Sequence, residues 1–189
     1  MEKEIWKPGN MLYPLPVVMV SCKRPGEKPN IITVAWTGTV CTNPAMLYIS
    51  VRPERYSYPI LKETKEFVVN LTTEKLVRAT DFCGVKSGRD VDKFKKMNLT
   101  PAPSKEISAP GIKESPVNIE CKVKDILMLG SHHMFLAEVA AVRVDGRYLD
   151  EKGTFQLNQA GLITYSHGKY FRLGQQIGTF GYSVRKKEK

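Results

Sequence analysis

The stretch that most constrains this chain runs from Asn30 to Tyr58, NIITVAWTGTVCTNPAMLYISVRPERYSY. In its first part Ile32, Val34 and Trp36 alternate with Thr33, Ala35 and Thr37. That period of two predicts a strand with one apolar face and one small, hydroxyl-rich face. A small face leaves room for something flat. Asn43-Pro44 predicts a turn, since Asn tolerates turn conformations and Pro fixes its own φ, and Met46 to Val51 reads as the second strand of a hairpin. The exit of that hairpin carries Arg52 and Arg55, followed by Tyr56, Ser57 and Tyr58. Guanidinium forks and hydroxyl donors in one place suit a phosphate group.

The rest of the chain supplies more strands than helices. Leu15 to Cys22 is a short apolar run bounded by proline and by the turn KRPGEKPN, as expected of a buried strand. Pro59 stands where a first helical turn accepts proline, and ILKETK leads through a short helix to a strand at Phe67 to Leu71. Thr72-Thr73 predicts the start of a helix from about Glu74, ended by Gly84. Ser87-Gly88 then precedes an Asp90-led helical segment carrying Lys93, and a glycine loop feeding a helix N-terminus gathers free N–H groups suited to an anion. Pro101 to Pro116 reads as a surface connection. Ile119 to Leu129 and Met134 to Val144 predict two long strands around a GSHH turn, and Leu162 to Tyr165 and Lys169 to Leu173 two short ones.

Six or more strands with irregularly inserted helices favour a mainly antiparallel β-barrel over a doubly wound α/β fold. No GxGxxG follows a strand and no GxxxxGK[ST] occurs, so neither a Rossmann site nor a P-loop is indicated. With 189 residues the chain is expected to form a single domain, 1–189, ending in a basic tail at about 182–189. No apolar run approaches the ~20 residues of a membrane helix. The N-terminus MEKEIWKPGN lacks the basic start and apolar core of a signal peptide, so a cytoplasmic protein is expected. Cys22, Cys41, Cys83 and Cys121 are scattered without CxxC spacing, so no metal site or dithiol motif is expected. A net charge of +10 without a basic stripe or interleaved aromatics favours anionic small molecules over nucleic acid.

Three blocks in this order, NIITVAWTGTVCTNPAMLYISVRPERYSY, FCGVKSGRDVDKF and GSHHMFLAEV, resemble the flavin reductase-like, FMN-binding split-barrel family, within it the flavoredoxin type. The resemblance spans about Leu15 to Leu173. It implies a homodimer of six-stranded antiparallel Greek-key split barrels, each binding FMN near the dimer interface. On matching positions it implies that Thr33, Ala35, Trp36 and Thr37 line the isoalloxazine, and that Ser50, Arg52, Tyr56 and Ser57 hold the ribityl chain and phosphate. Ser87, Gly88 and Lys93 close the phosphate side. The third block resembles the family's GDHxxFxGEV motif, which places His132 near the nicotinamide of NAD(P)H, with His133 as its neighbouring substitute. It departs from that motif at Ser131 and Ala137, where aspartate and glycine are usual. A serine supports a charged imidazole less than a carboxylate does. The expected activity is electron transfer from NAD(P)H through FMN to free flavin, a ferric complex or a partner protein. The alternative is an FMN-holding electron carrier reduced by a protein partner.

Overall fold

The computed structural model describes residues 1–185; the end of the expected basic tail, 186–189, lies outside the described residues. The strands are β1 (Leu15–Pro16), β2 (Val18–Cys22), β3 (Asn30–Val34), β4 (Thr37–Cys41), β5 (Met46–Val51), β6 (Glu66–Leu71), β7 (Pro101–Ala102), β8 (Gly111–Ile112), β9 (Val117–Leu129), β10 (His132–Val144), β11 (Ile163–Ser166) and β12 (Lys169–Arg172). The helices are α1 (Ser57–Thr64), α2 (Val77–Val85) and α3 (Lys93–Lys96). Seven strands form one antiparallel sheet in the order β3-β2-β6-β9-β10-β5-β4.

The two edges of that sheet, β3 and β4, are neighbours in sequence, joined only by Ala35 and Trp36. A flat seven-stranded sheet is about 29 Å across. The step from Val34 to Thr37 spans at most about 10 Å. The sheet therefore has to curl until its edges meet, which makes a barrel. The count is seven strands, where the resemblance implied six. Alternation from Ile32 to Trp36 reads as one strand, but the chain breaks at Ala35–Trp36: Thr37 N–H donates to Ala35 O (3.0 Å) and Ser50 N–H to Trp36 O (2.8 Å). Closure demands the bend, because β3 pairs with β2 and β4 with β5. β6 returns beside β2 after the β2–β3–β4–β5 run, which is the Greek-key order.

Val18, Val20, Cys22, Ile32, Val34, Ile49, Phe67 and Phe135 fill the barrel interior. The other face of β2 and β3, with Met19 and Ile31, is covered by Leu76, Ala79 and Cys83 of the α2 region and by Phe94. Burial on both faces accounts for the lack of a polar-outward alternation in β2, where even Ser21 is buried. Asn70, at 0% exposure, ties three segments: its amide donates to Met19 O and Ser21 Oγ, and its carbonyl accepts from Ile112 N–H and Asn118 Nδ2. β11 and β12 form a separate three-stranded sheet with β1. No described helix is long and apolar enough to cross a membrane.

α1 begins at Ser57, which puts Pro59 in its first turn as expected, but a later helix moves. The expected Asp90-led helix is the four-residue α3, capped by Asp92, whose Oδ1 accepts from Lys95 N–H. Ser87 and Gly88 therefore lie in a loop that feeds no helix N-terminus directly.

Candidate functional site

The bend at Ala35–Trp36 opens the barrel wall, and a cleft of about 750 Å³ lies against it. Thr33, Ala35 and Trp36 line it from the bend, Ser50 and Arg52 from the end of β5, and His132 from the start of β10. A smaller cavity of about 290 Å³ is lined by Asn30, Tyr56, Ser57, Ser87, Gly88 and Lys93. Ile32 and Arg55 line both, so the two spaces adjoin. Of the candidate residues, Thr37 stands apart. Its side chain lines neither space, because it is buried and its Oγ1 donates to Tyr48 O at 2.6 Å.

The smaller cavity is rich in donors. Ser57 opens α1, where the Tyr58 N–H already donates to Arg55 O at 2.9 Å and Pro59 has no N–H. The Ser57 Oγ accepts from Asn30 Nδ2 at 2.7 Å, which fixes the side chain at the cavity wall. Lys93 has 4% exposure, and its Nζ donates to Ile31 O (2.7 Å) and Cys83 O (2.8 Å), leaving one N–H for the cavity. Burial lowers the Lys93 pKa. Glu54 is the one carboxylate on the rim, and it is paired with Arg52 at 3.3 Å. Gly88 is needed for close approach: a Cβ there would lie 2.2 Å from Asn30 Oδ1 and 2.6 Å from the Tyr56 ring. Gly84 likewise lets α2 close on Thr33, whose Oγ1 donates to Thr80 O at 2.5 Å. Cys83 borders this cavity as an inert thiol, pushed up to about 11 by burial.

In the cleft, His132 stacks on Trp36 with centroids 5.8 Å apart and planes 7° from parallel. Partial burial, then the charge of Arg52, lowers its pKa below the usual histidine value, which favours the neutral imidazole. Ser131 Oγ is 3.0 Å from its Nδ1. The serine at this position therefore suits a neutral ring that needs orientation more than counter-charge. His133 is on the opposite face of β10, with Nδ1 2.7 Å from the Tyr58 hydroxyl and the Tyr58 ring wedged against Phe135. Alternation along a strand separates the two histidines, and it is His132 that reaches the cleft. Tyr165 and Tyr170, from the β11–β12 hairpin, and Asn10 also line the cleft, and nothing local in the sequence marks them.

An antiparallel Greek-key barrel whose cleft adjoins a donor-lined pocket has the chemistry for an elongated ligand with an anionic end. The chain matches the Flavin reductase like domain over residues 10–174, and it belongs to that family. A protein of Archaeoglobus fulgidus, described as uncharacterized, is 31% identical over 171 residues, 90% of this chain and 94% of that one. Among solved structures, the flavoredoxin of Desulfovibrio vulgaris (Miyazaki F) superposes with a TM-score of 0.90 at 27% identity, covering 97% of this chain and all of that one. The flavoredoxin of Methanosarcina acetivorans gives 0.86 at 28%, with the same coverage. Nitrilotriacetate monooxygenase component B of Bacillus cereus gives 0.80 at 25%, over 89% of this chain and 88% of that one.

Proposed function

We propose that this protein binds FMN and is an NAD(P)H-dependent oxidoreductase. The observation that carries the reading is the junction of the two cavities at Ile32 and Arg55, a ring-sized slot continuing into a pocket of donors. Arg55, Ser57 and the remaining Lys93 N–H are the groups for the phosphate. Ser50 and Arg52 lie along the ribityl course, and Thr33, Ala35 and Trp36 border the ring. FMN held there would supply two-electron redox chemistry between NAD(P)H and an acceptor. The protein binds and orients. Neutral His132, stacked on Trp36, orients the nicotinamide end of the nucleotide by hydrogen bonding and carries no proton in the transfer. The acceptors that fit are free flavin, a ferric complex or a partner protein.

The likeness to two flavoredoxins supports a second reading, an FMN-holding carrier that receives its electrons from a protein partner. We also infer that two copies associate as a homodimer.

An anaerobic absorbance spectrum separates these readings. Flavin bands that bleach on adding NADH or NADPH are the expected result. Bands that persist would favour the carrier. No bands, even after soaking with FMN, would overturn both.

A further inference from the structure

The cleft has a second wall that the flavin assignment does not use. Tyr165 and Tyr170 face each other across the β11–β12 hairpin, their ring centroids 6.0 Å apart and their planes 61° apart. They line the same space as Trp36 and His132. The wall is fixed at both ends. Tyr165 pairs with Leu15 of β1, and Thr164 Oγ1 donates to Leu15 O at 2.6 Å. The Tyr170 hydroxyl donates to Asp81 Oδ1 at 3.1 Å, which ties the hairpin to α2. α2 in turn is docked on β3 through the Thr33–Thr80 hydrogen bond, so the wall is held in register with the bend that lines the slot.

The chemistry of this wall differs from that of the rest of the cleft. Arg52 and Arg55 belong to the hairpin exit on the flavin side, whereas the hairpin wall offers two phenol rings. Trp36 and His132, rings nearly parallel to each other, line the same space. A space lined by two separate pairs of aromatic rings favours a flat conjugated ring, through offset-stacked and edge-to-face contacts. We propose that Tyr165 and Tyr170, the latter held by Asp81, form a subsite for a planar conjugated ring that enters the cleft with FMN in place. This rests on the flavin reading above. The ring is either the nicotinamide of the electron donor or a conjugated acceptor such as a quinone. Asp81 is a positioning residue, acting through Tyr170.

The test uses the full-length FMN-loaded protein and the variants Tyr170→Leu, Tyr170→Phe and Asp81→Asn. Oxidised protein, which does not react with a quinone, is titrated with menadione and followed by the shift of the bound flavin's visible bands. Michaelis constants for NAD(P)H are measured separately with ferricyanide, which has no conjugated ring. Tyr170→Leu is expected to raise the menadione dissociation constant or the NAD(P)H Michaelis constant by about fivefold or more, the worth of one aromatic contact, with FMN affinity unchanged. Tyr170→Phe and Asp81→Asn keep the ring and are expected to give smaller effects. The constant that moves identifies the ring as acceptor or donor. If neither moves, or if FMN affinity falls in parallel, the proposal is overturned. Failure of the flavin reading is seen separately, as protein that takes up no FMN. In that case menadione quenching of Trp36 in a Trp6→Phe background still decides whether the wall binds a flat ring, and quenching unaltered by Tyr170→Leu overturns it.

Discussion

Arg52 and Arg55 have the same chemistry but different commitments. Arg52 is half exposed, paired with Glu54, and borders only the larger cleft. Arg55 borders both spaces, and no ion pair involves it among the described residues. Arg55→Ala is therefore expected to weaken FMN binding by about 1.5–3 kcal/mol, the worth of a hydrogen bond to a charged group. That is roughly ten- to a hundredfold in affinity. Riboflavin, which lacks the phosphate, should bind as before; equal losses for both flavins would remove Arg55 from the phosphate. Arg52→Ala should cost less than Arg55→Ala. His132 gives a pH prediction. Its pKa is lowered by burial and by Arg52, so well above the ordinary histidine value it is neutral, and the Michaelis constant for NAD(P)H should be flat from about pH 7.5 upward. A charged imidazole pairing with pyrophosphate would instead let that constant climb with pH, and such a climb would refute the neutral-ring role. For stability the sign is the same for any depressed histidine: below 6.5 the unfolded chain binds more protons, so stability falls as pH drops through the depressed value. The pair of arginines was legible in the sequence, because RPER sits at a strand exit. Which arginine faces both spaces was not, since that depends on where α1 begins.

At the scale of elements, Lys93 shows what pattern reading cannot supply. In sequence it is one of several lysines in DKFKK, indistinguishable from a solvated helix face. In the fold its ammonium fastens the end of α2 to β3 by donating to Cys83 O and Ile31 O. These partners are 10 and 62 residues away in sequence, so no local rule points to them. Lys93→Met keeps the length and apolar stem but leaves two buried carbonyls without this donor. It is expected to destabilise the protein by about 1–3 kcal/mol, the cost of an orphaned buried polar group. Denaturant melts read the loss, and FMN affinity should fall with it, because Lys93 and Cys83 line the smaller cavity. Lys93→Met with unaltered stability would show that the clip is not holding α2. The break between β3 and β4 has a similar origin. Val34-Ala35-Trp36 continues an alternation that locally favours a strand, and only the meeting of the two sheet edges, a property of all seven strands, forces the chain to bend there. Once register is known, the separation of His132 from His133 follows at once, since one residue of shift would exchange them.

At the scale of the molecule, association has to overcome charge. Each chain carries +10, so two copies repel. What favours association is apolar surface: the end of β9 presents Leu127, Met128 and Leu129 in succession, with Met128 79% exposed. Three consecutive large apolar residues exposed on a long hairpin are a mark of an interaction surface. A homodimer using that surface should sediment at twice 21.3 kDa. Because the driving force is apolar and the opposing force Coulombic, added salt should tighten the dimer by screening the repulsion. Met128→Glu with Leu129→Glu puts like charges into the contact and should shift the protein towards monomer while its circular dichroism stays unchanged. A wild-type monomer at tens of micromolar would end the dimer inference. A double variant that remains dimeric would move the contact away from the β9–β10 hairpin, and dissociation promoted by salt would mean that ion pairs, not apolar burial, hold the copies together.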